Sequence, residues 1–280
     1  MAAENSYGDV VVLCYHGISE TWPASTSVRP ADFEAQLSSF AGNGYRGATL
    51  SEALVSPPTE KTLVVTFDDA HASVWEHAWR PMERLGIPGT VYAPTNYVGA
   101  DRPMAWAGYD SWLDTEHEGE LACMSWSQLR ELAAAGWEIG SHTCSHPRLS
   151  QLAAAEIATE LAGSRRICEE QTAQPCRSNA YPYSDYDERV VRAAAEAGDR
   201  FAVSVPRDPQ PPLPFEWPRL GVYHGEGARR VRLRAWSRRL GPSSAARLLL
   251  AATARRGRDG VPEAARGAGS TQAARAESRE

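Results

Sequence analysis

The sequence predicts an α/β protein built around a parallel sheet, and the pattern of its apolar residues supports this in two ways. Short apolar runs occur at seven places between residues 10 and 223, and each has the length and composition of a buried strand. Between most of them lie segments whose apolar residues recur every three or four positions, which is the period of a helix. Strands that alternate with helices form either a (β/α) barrel or a doubly wound sheet.

Each element is predicted from its own pattern. The strand candidates are rich in Val, Leu, Ile and Phe, and they span residues 10–14, 62–67, 89–93, 137–141, 178–182, 201–205 and 220–223. The helix candidates share a helical apolar period, and they span residues 30–40, 75–85, 126–135, 152–171 and 187–197. Residues 99–122, which are rich in Trp, Gly and acidic residues, and the Pro-rich residues 206–218 are predicted to be long loops.

Charge is unevenly distributed along the 280 residues. The whole chain carries a formal charge of −6, yet residues 225–280 contain 13 Arg and 5 acidic residues, so this segment is +8 and the remainder −14. We expect one domain over residues 1–224, followed by an Arg-rich segment, 225–280, that is partly helical or disordered. Such a basic segment could contact an anionic membrane weakly. Since no nucleic-acid motif accompanies it, no nucleic-acid partner is expected.

The N-terminal residues and the cysteines predict a cytoplasmic protein. Residues 1–17 lack the basic and apolar regions of a secretory signal, and no apolar run approaches the length of a membrane-spanning helix. The five cysteines are odd in number and include no Cys-x-x-Cys pair, which favours reduced thiols over a disulfide framework.

Two short polar segments that follow predicted strands point to hydrolytic chemistry. The first ends in Asp68 and Asp69, and the second, Ser-His-Thr-Cys-Ser-His over residues 141–146, places His142 and His146 four residues apart. Catalytic zinc-type sites use three protein ligands and leave a fourth position open for water. One Asp and two His supply three ligands, and the other Asp stays free to act as a base on that water.

With these segments the chain resembles the polysaccharide deacetylases, the NodB-homology group that forms carbohydrate esterase family four. The resemblance runs from about residue 10 to about residue 224, and it implies an incomplete or distorted (β/α) barrel of about seven strands. It also implies that Asp68 is the catalytic base and that Asp69, His142 and His146 hold one divalent ion. Zn²⁺ is the expected ion, with Co²⁺, Ni²⁺ and Fe²⁺ as alternatives. All four residues fall at the ends of predicted strands, where barrels carry their chemistry.

A third segment, Asn-Ala-Tyr-Pro-Tyr over residues 179–183, matches the family only in part. Many members carry an Arg at the position of Ala180, where it pairs with the catalytic Asp. Arg219 is the candidate replacement, because a nearby cation keeps a carboxylate ionised and orients it. The resemblance further implies that the backbone N–H of Tyr183 helps to hold the oxyanion that forms during hydrolysis.

The general acid and the role of one cysteine stay open. A general acid must protonate the leaving amine, and His suits this task at neutral pH. His16 ends the first predicted strand and resembles the N-terminal segment of a permuted subgroup, whereas His224 ends the last strand; His16 is favoured. Cys144 lies between the two His ligands and thiolates bind zinc well, yet the family varies at this position and we expect Cys144 to point away. His71 stands out among the remaining histidines, because relatives usually have small residues there.

The expected function is therefore a metal-dependent hydrolase that removes an N-acetyl group from an amino sugar or glycoconjugate. Two alternatives are weighed against it. Relatives on this fold also hydrolyse amides and imides of small, non-polymeric metabolites, and such a substrate would need a pocket closed by residues 99–122 and 206–218. The absence of an Arg at position 180 would also suit an inactive carbohydrate-binding homologue.

Overall fold

The computed structural model describes residues 9–56, 58–208 and 211–239. Its strands, in chain order, are β1 (Val10–Tyr15), β2 (Arg46–Ala48), β3 (Thr62–Phe67), β4 (Gly89–Ala93), β5 (Glu138–Ser141), β6 (Ser178–Ala180), β7 (Phe201–Ser204), β8 (Trp217–Pro218) and β9 (Leu220–Gly221). Its helices are α1 (Pro30–Ala41), α2 (Leu50–Val55), α3 (Ala72–His77), α4 (Trp79–Arg84), α5 (Trp126–Ala134), α6 (Ala154–Thr172), α7 (Glu188–Ala197) and α8 (Ala228–Arg239).

The strands form a parallel, nearly closed barrel. Their order is β8-β7-β6-β5-β4-β3-β1-β9, and β2 pairs with β3 outside this path. Strands β8 and β9 are two halves of one short segment, separated only by Arg219. Because β8 pairs with β7 and β9 pairs with β1, this segment spans the gap between the two ends of the sheet. The predicted distorted (β/α) barrel is confirmed.

The seven predicted strands are all present: β3 and β4 have the predicted ends, and the other five differ from the prediction by one or two residues at one end. Strands β2 and β8 and helix α2 were not predicted, because elements this short show no clear period. The predicted helix over residues 75–85 is two helices, α3 and α4, that meet at Ala78. Pro81 accounts for the break, since it has no N–H to donate to the carbonyl of His77 four residues earlier.

The barrel is supported by a core that continues from the strands into the surrounding helices. Every residue of β3 and β4 is buried, as expected for strands covered on both faces. One face of α1 packs in this core through Phe33, Leu37 and Phe40. The helical spacing predicted for these residues is confirmed. Phe67, the last residue of β3, stacks on Trp137 with ring centroids 5.7 Å apart. The end of β3 is thereby fixed at the point where the polar residues begin.

Helix α8 belongs to the predicted Arg-rich segment and packs on α1 through buried Val231 and Ala235. Its side chains also hold the closing segment of the barrel: Arg238 donates to the carbonyl of Arg219 at 2.6 Å, and Arg234 donates to that of Gly221 at 3.0 Å. Residues 240–280 lie outside the described residues. Among the helices that are described, none combines the length and the apolar character needed to cross a bilayer.

Candidate active site

Four of the predicted site residues lie together at the carboxyl ends of two strands, β3 and β5. Asp68 and Asp69 follow β3, while His142 and His146 lie in the loop that follows β5. Strand β4 separates β3 from β5 in the sheet, so the two loops meet above it. All four side chains are buried, and none is more than 6% exposed. The arrangement places two carboxylates and two imidazoles in a site largely shielded from water.

Asp69, His142 and His146 form a cluster with the geometry of metal ligands. The Oδ1 atom of Asp69 lies 3.3 Å from Nε2 of His142 and 3.3 Å from Nε2 of His146. The three atoms lie within 4.8 Å of one another. The Nδ1 atom of His142 is 2.7 Å from the carbonyl oxygen of Ala180, which can only accept a hydrogen bond. The ring proton is therefore on Nδ1, and the Nε2 lone pair faces the cluster.

A divalent ion fits this cluster on two grounds. First, Oδ1 of Asp69 is buried and has no hydrogen-bond partner within the described structure. An unpaired carboxylate oxygen is costly to bury, and a cation between the three ligand atoms would remove that cost. Second, one carboxylate and two imidazoles make a donor set that suits catalytic zinc and similar ions.

The backbone of the site is held in an unusual conformation. Positive φ angles occur at Asp69 (67°), Thr143 (66°), His146 (61°) and Tyr183 (57°), none of which is glycine. Each such residue costs of the order of 1–3 kcal/mol and persists only where its surroundings enforce it. The loop after β5 shows one such contact, in which the N–H of His146 donates to Oγ1 of Thr143 at 3.0 Å. Two of these residues, Asp69 and His146, belong to the cluster, Tyr183 lines the cavity, and Thr143 lies between the two histidines in the chain.

Asp68 forms a buried, bidentate ion pair with Arg219. The Nη1 and Nη2 atoms of Arg219 lie 2.6 Å and 2.7 Å from Oδ1 and Oδ2 of Asp68, and Nη1 also donates to Oγ1 of Thr66 at 3.0 Å. Burial alone would raise the pKa of Asp68, but the Arg219 guanidinium, together with His142 and His16, outweighs it and lowers the pKa to about 2. Arg219 thus makes the pairing for which the sequence proposed it, in place of an Arg at position 180.

The two candidates for the general acid lie in different surroundings. His16 lines the same cavity as Asp68 and Asp69, and one of its ring nitrogens lies within 4.8 Å of a carboxylate oxygen of Asp68. His224 is exposed and is not among the residues that line this cavity; its backbone N–H donates to the carbonyl of Ser25 at 2.9 Å. The structure therefore places His16, and not His224, beside Asp68 in the cavity.

Tyr183 and Cys144 have different neighbours: Tyr183 borders His146, whereas Cys144 contacts helix α6. Tyr183 lines the cavity, its ring meets that of His146 edge-on at 4.7 Å, and the Arg148 guanidinium lies 4.2 Å from its ring centroid. Burial raises the pKa of Tyr183 to about 12, so its hydroxyl stays protonated. The Sγ atom of Cys144 lies 3.6 Å from the carbonyl oxygen of Glu160 on α6, and Cys144 is not part of the ligand cluster.

The cluster opens into a cavity of about 440 Å³ with aromatic walls. One wall comes from residues 99–122, the segment predicted as a long loop, and it includes Trp106, Tyr109 and Trp112. Trp106 stacks on His146, with ring centroids 4.0 Å apart and ring planes inclined by 17°. Sequence reasoning did not assign Trp106 or Tyr109 to the site. The only signal was the unusual content of Trp in a segment with no helical or strand period.

Comparison with protein families agrees with this geometry. Residues 56–202, about half of the chain, match the family described as polysaccharide deacetylase. This chain belongs to the polysaccharide deacetylase family. The matched region contains Asp68, Asp69, His142 and His146, whereas His16 and Arg219 lie outside it.

Individual relatives share about a quarter of the aligned residues with this chain. The chain is 26% identical over 198 residues to the putative polysaccharide deacetylase YxkH of Bacillus subtilis, a match that covers 69% of this chain and 63% of YxkH. It is 22% identical over 192 residues to a poly-beta-1,6-N-acetyl-D-glucosamine N-deacetylase of Staphylococcus aureus, which covers 64% of this chain and 61% of that protein. The match thus spans less than two thirds of the length of either relative.

Solved structures share the fold. The polysaccharide deacetylase BC0361 of Bacillus cereus superimposes with a TM-score of 0.66 at 24% identity, and the match covers 81% of this chain and 68% of BC0361. IcaB from Ammonifex degensii superimposes with a TM-score of 0.65 at 22% identity, covering 81% of this chain and 97% of IcaB. At this level of identity the likeness establishes the architecture alone.

Proposed function

We propose that this protein is a metal-dependent hydrolase that removes N-acetyl groups from N-acetylated amino sugars or their glycoconjugates. One observation carries the proposal: the ligand cluster of Asp69, His142 and His146 lies beside a carboxylate, Asp68, that Arg219 holds ionised. A metal site and a separate, oriented base are the two parts that amide hydrolysis by activated water requires.

Asp68 accepts the proton of the attacking water in this proposal. Both of its oxygens are bonded to Arg219, but each carboxylate oxygen can accept more than one hydrogen bond, so a water can still be bound. A carboxylate with a pKa of about 2 is a weak base, so it can deprotonate only water that is already acidic. A divalent ion held by Asp69, His142 and His146 would supply that acidity and would polarise the amide carbonyl.

His16 and Tyr183 complete the proposed chemistry from other parts of the cavity wall. His16 donates a proton to the nitrogen of the leaving amine, which is a poor leaving group without one. Its place beside Asp68 supports this role, since both groups must act on the same reacting amide. Tyr183 borders the ligand His146, and its backbone N–H is the proposed donor to the oxyanion.

The substrate class is proposed from the relatives and from the cavity wall. The Staphylococcus aureus relative is named for an N-acetylated glucosamine polymer, which has the same kind of scissile amide. Trp106, Trp112 and Tyr223 line the cavity with flat apolar faces and polar edges. Side chains of this kind suit a ligand such as a sugar ring, which presents both C–H groups and hydroxyls.

Acetate release tests the proposal. Metal-stripped protein is assayed before and after addition of Zn²⁺ or Co²⁺. Acetate is measured with N-acetylglucosamine and its β-1,6 oligomers, and loss of substrate is measured by chromatography with a panel of small amides and imides. We expect metal to restore release from the sugars, and Asp68→Asn to remain inactive as a control. Release from the small amides alone would favour the small-metabolite alternative. Metal and sugar binding without any turnover would favour an inactive carbohydrate-binding homologue.

A further inference from the structure

We propose that Tyr109 is a positioning residue for the metal ligand Asp69, so that residues 99–122 form part of the metal site as well as the wall of the cavity. The inference rests on the proposed metal site and adds to it a residue from a segment without regular strands or long helices.

The key contact joins the two side chains directly. The hydroxyl of Tyr109 lies 2.6 Å from Oδ2 of Asp69, and the carboxylate oxygen can only accept, so Tyr109 donates. Both side chains are buried, at 6% and 2% exposure. A short hydrogen bond from a neutral donor to a buried carboxylate is of the stronger, charge-assisted kind.

The two oxygens of Asp69 therefore have different surroundings. Oδ2 accepts the hydrogen bond from Tyr109. Oδ1 has no hydrogen-bond partner in the described structure and lies 3.3 Å from Nε2 of both His142 and His146. Rotation of an Asp carboxylate about its last bond is otherwise broad and weakly restrained. By fixing Oδ2, the hydroxyl of Tyr109 holds Oδ1 toward the two imidazoles, where a metal ligand must be.

Tyr109 is itself held in place from two directions. Nε2 of His71 lies 2.7 Å from the Tyr109 hydroxyl, and since that hydroxyl gives its one proton to Asp69, His71 is the donor in this contact. Nδ1 of His71 lies 2.9 Å from the carbonyl oxygen of Glu120. Trp106 stacks on the ring of Tyr109, with centroids 5.1 Å apart. Glu120 and Tyr109 belong to the same 99–122 segment, so this segment is fixed to the residues after β3 at two points. The unusual His at position 71 has a place in this chain of contacts.

The test is the zinc affinity of Tyr109→Phe, which removes one oxygen atom and keeps the ring. Metal-stripped protein is titrated with Zn²⁺ against a competing chelator, and we expect the dissociation constant to rise by about 10–100-fold, the usual effect of losing a partner of a metal ligand. The matched control is Tyr97→Phe. Tyr97 lies in the same aromatic cluster, but its hydroxyl donates to the carbonyl of Ala105 at 3.1 Å, so zinc affinity should not change.

A second variant separates positioning from packing. In His71→Asn the side-chain amide can still contact the carbonyl of Glu120, whereas the donor that His71 Nε2 offers to the Tyr109 hydroxyl is lost. We expect a smaller but measurable loss of zinc affinity. Wild-type affinity in both Tyr109→Phe and His71→Asn would overturn the inference and leave the metal site intact. Failure of the wild-type protein to bind zinc, with His142→Ala as the reference for lost binding, would instead overturn the metal site itself.

Discussion

Replacing Arg219 with Gln should destabilise the metal-free protein and change how its stability depends on pH. In the wild type, the pKa of Asp68 is about 2 instead of its ordinary 3.8. The ionised carboxylate therefore stabilises the fold fully above pH 3.8, and this contribution is lost as the pH falls through 2. Without Arg219, burial is the largest remaining influence and acts to raise the pKa of Asp68, so we expect this pKa to move back toward its ordinary value or beyond it.

The size of the effect follows from the pKa difference. The pKa of about 2 lies roughly two units below the ordinary 3.8, and at about 1.4 kcal/mol per unit the loss of this stabilisation should lower the free energy of unfolding at pH 7 by about 2–3 kcal/mol. The cost of leaving one partner of a buried ion pair uncompensated is of similar size, about 3–5 kcal/mol. The loss should shrink as the pH falls, because protonation of Asp68 removes the buried charge from the variant.

Urea unfolding at pH 7, 5 and 3.5 measures this dependence on metal-stripped protein, because the lowest of these lies between the ordinary pKa of 3.8 and the wild-type pKa of about 2. Adding Asp68→Asn to Arg219→Gln should recover part of the lost stability, since no buried charge is then left. Arg230→Gln is the control: Arg230 pairs with Glu226 at 3.1 Å but is 74% exposed, so its loss should cost less than about 1 kcal/mol. A loss in Arg219→Gln that is the same at every pH and is not recovered in the double variant would refute this reasoning.

Three further predictions test the assigned roles. His142→Ala should abolish both zinc binding and acetate release. Asp68→Asn should keep wild-type zinc affinity yet lose most turnover, because an amide cannot take the proton of water; loss of zinc would mean that Asp68 and Asp69 have exchanged roles. His16→Ala should lower kcat by about 10²–10⁴-fold, whereas His224→Ala should change it much less. The reverse outcome would assign the general acid to His224 and restore the ordinary motif order.

The strands and the ligand cluster were predictable because their signals are local. Each predicted strand is a short apolar run, and the three ligands lie within five residues of the end of β3 or β5. In a parallel barrel all strands point the same way, so residues that follow β3 and β5 must reach the same end of the sheet. The strand positions therefore placed the two Asp and the two His at the same end of the sheet, and the resemblance to the family distinguished the ligand Asp69 from Asp68.

The role of Tyr109 could not be predicted in this way. It lies 40 residues after Asp69, in a segment whose path depends on a local cluster of buried side chains rather than on a repeating period. Trp22 contributes to that cluster from a distant part of the chain, and its ring meets that of Tyr109 edge-on at 5.8 Å. No pattern within residues 99–122 indicates which aromatic side chain turns toward the ligand.

Closure of the barrel and ionisation of the Asp68 carboxylate both involve one residue, Arg219. Arg219 lies between β8 and β9, and its backbone N–H donates to the carbonyl of Ser204 on β7 while the next residues pair with β1. Strand β9 is two strands from β3 in the sheet, whereas β6, where many family members carry the Arg, is three strands away on the other side. Side chains that point into a barrel from different strands meet inside it. A long Arg side chain can therefore approach Asp68 either from β6 or from the segment between β8 and β9. The missing Arg at position 180 is therefore compensated in space, which argues against an inactive homologue.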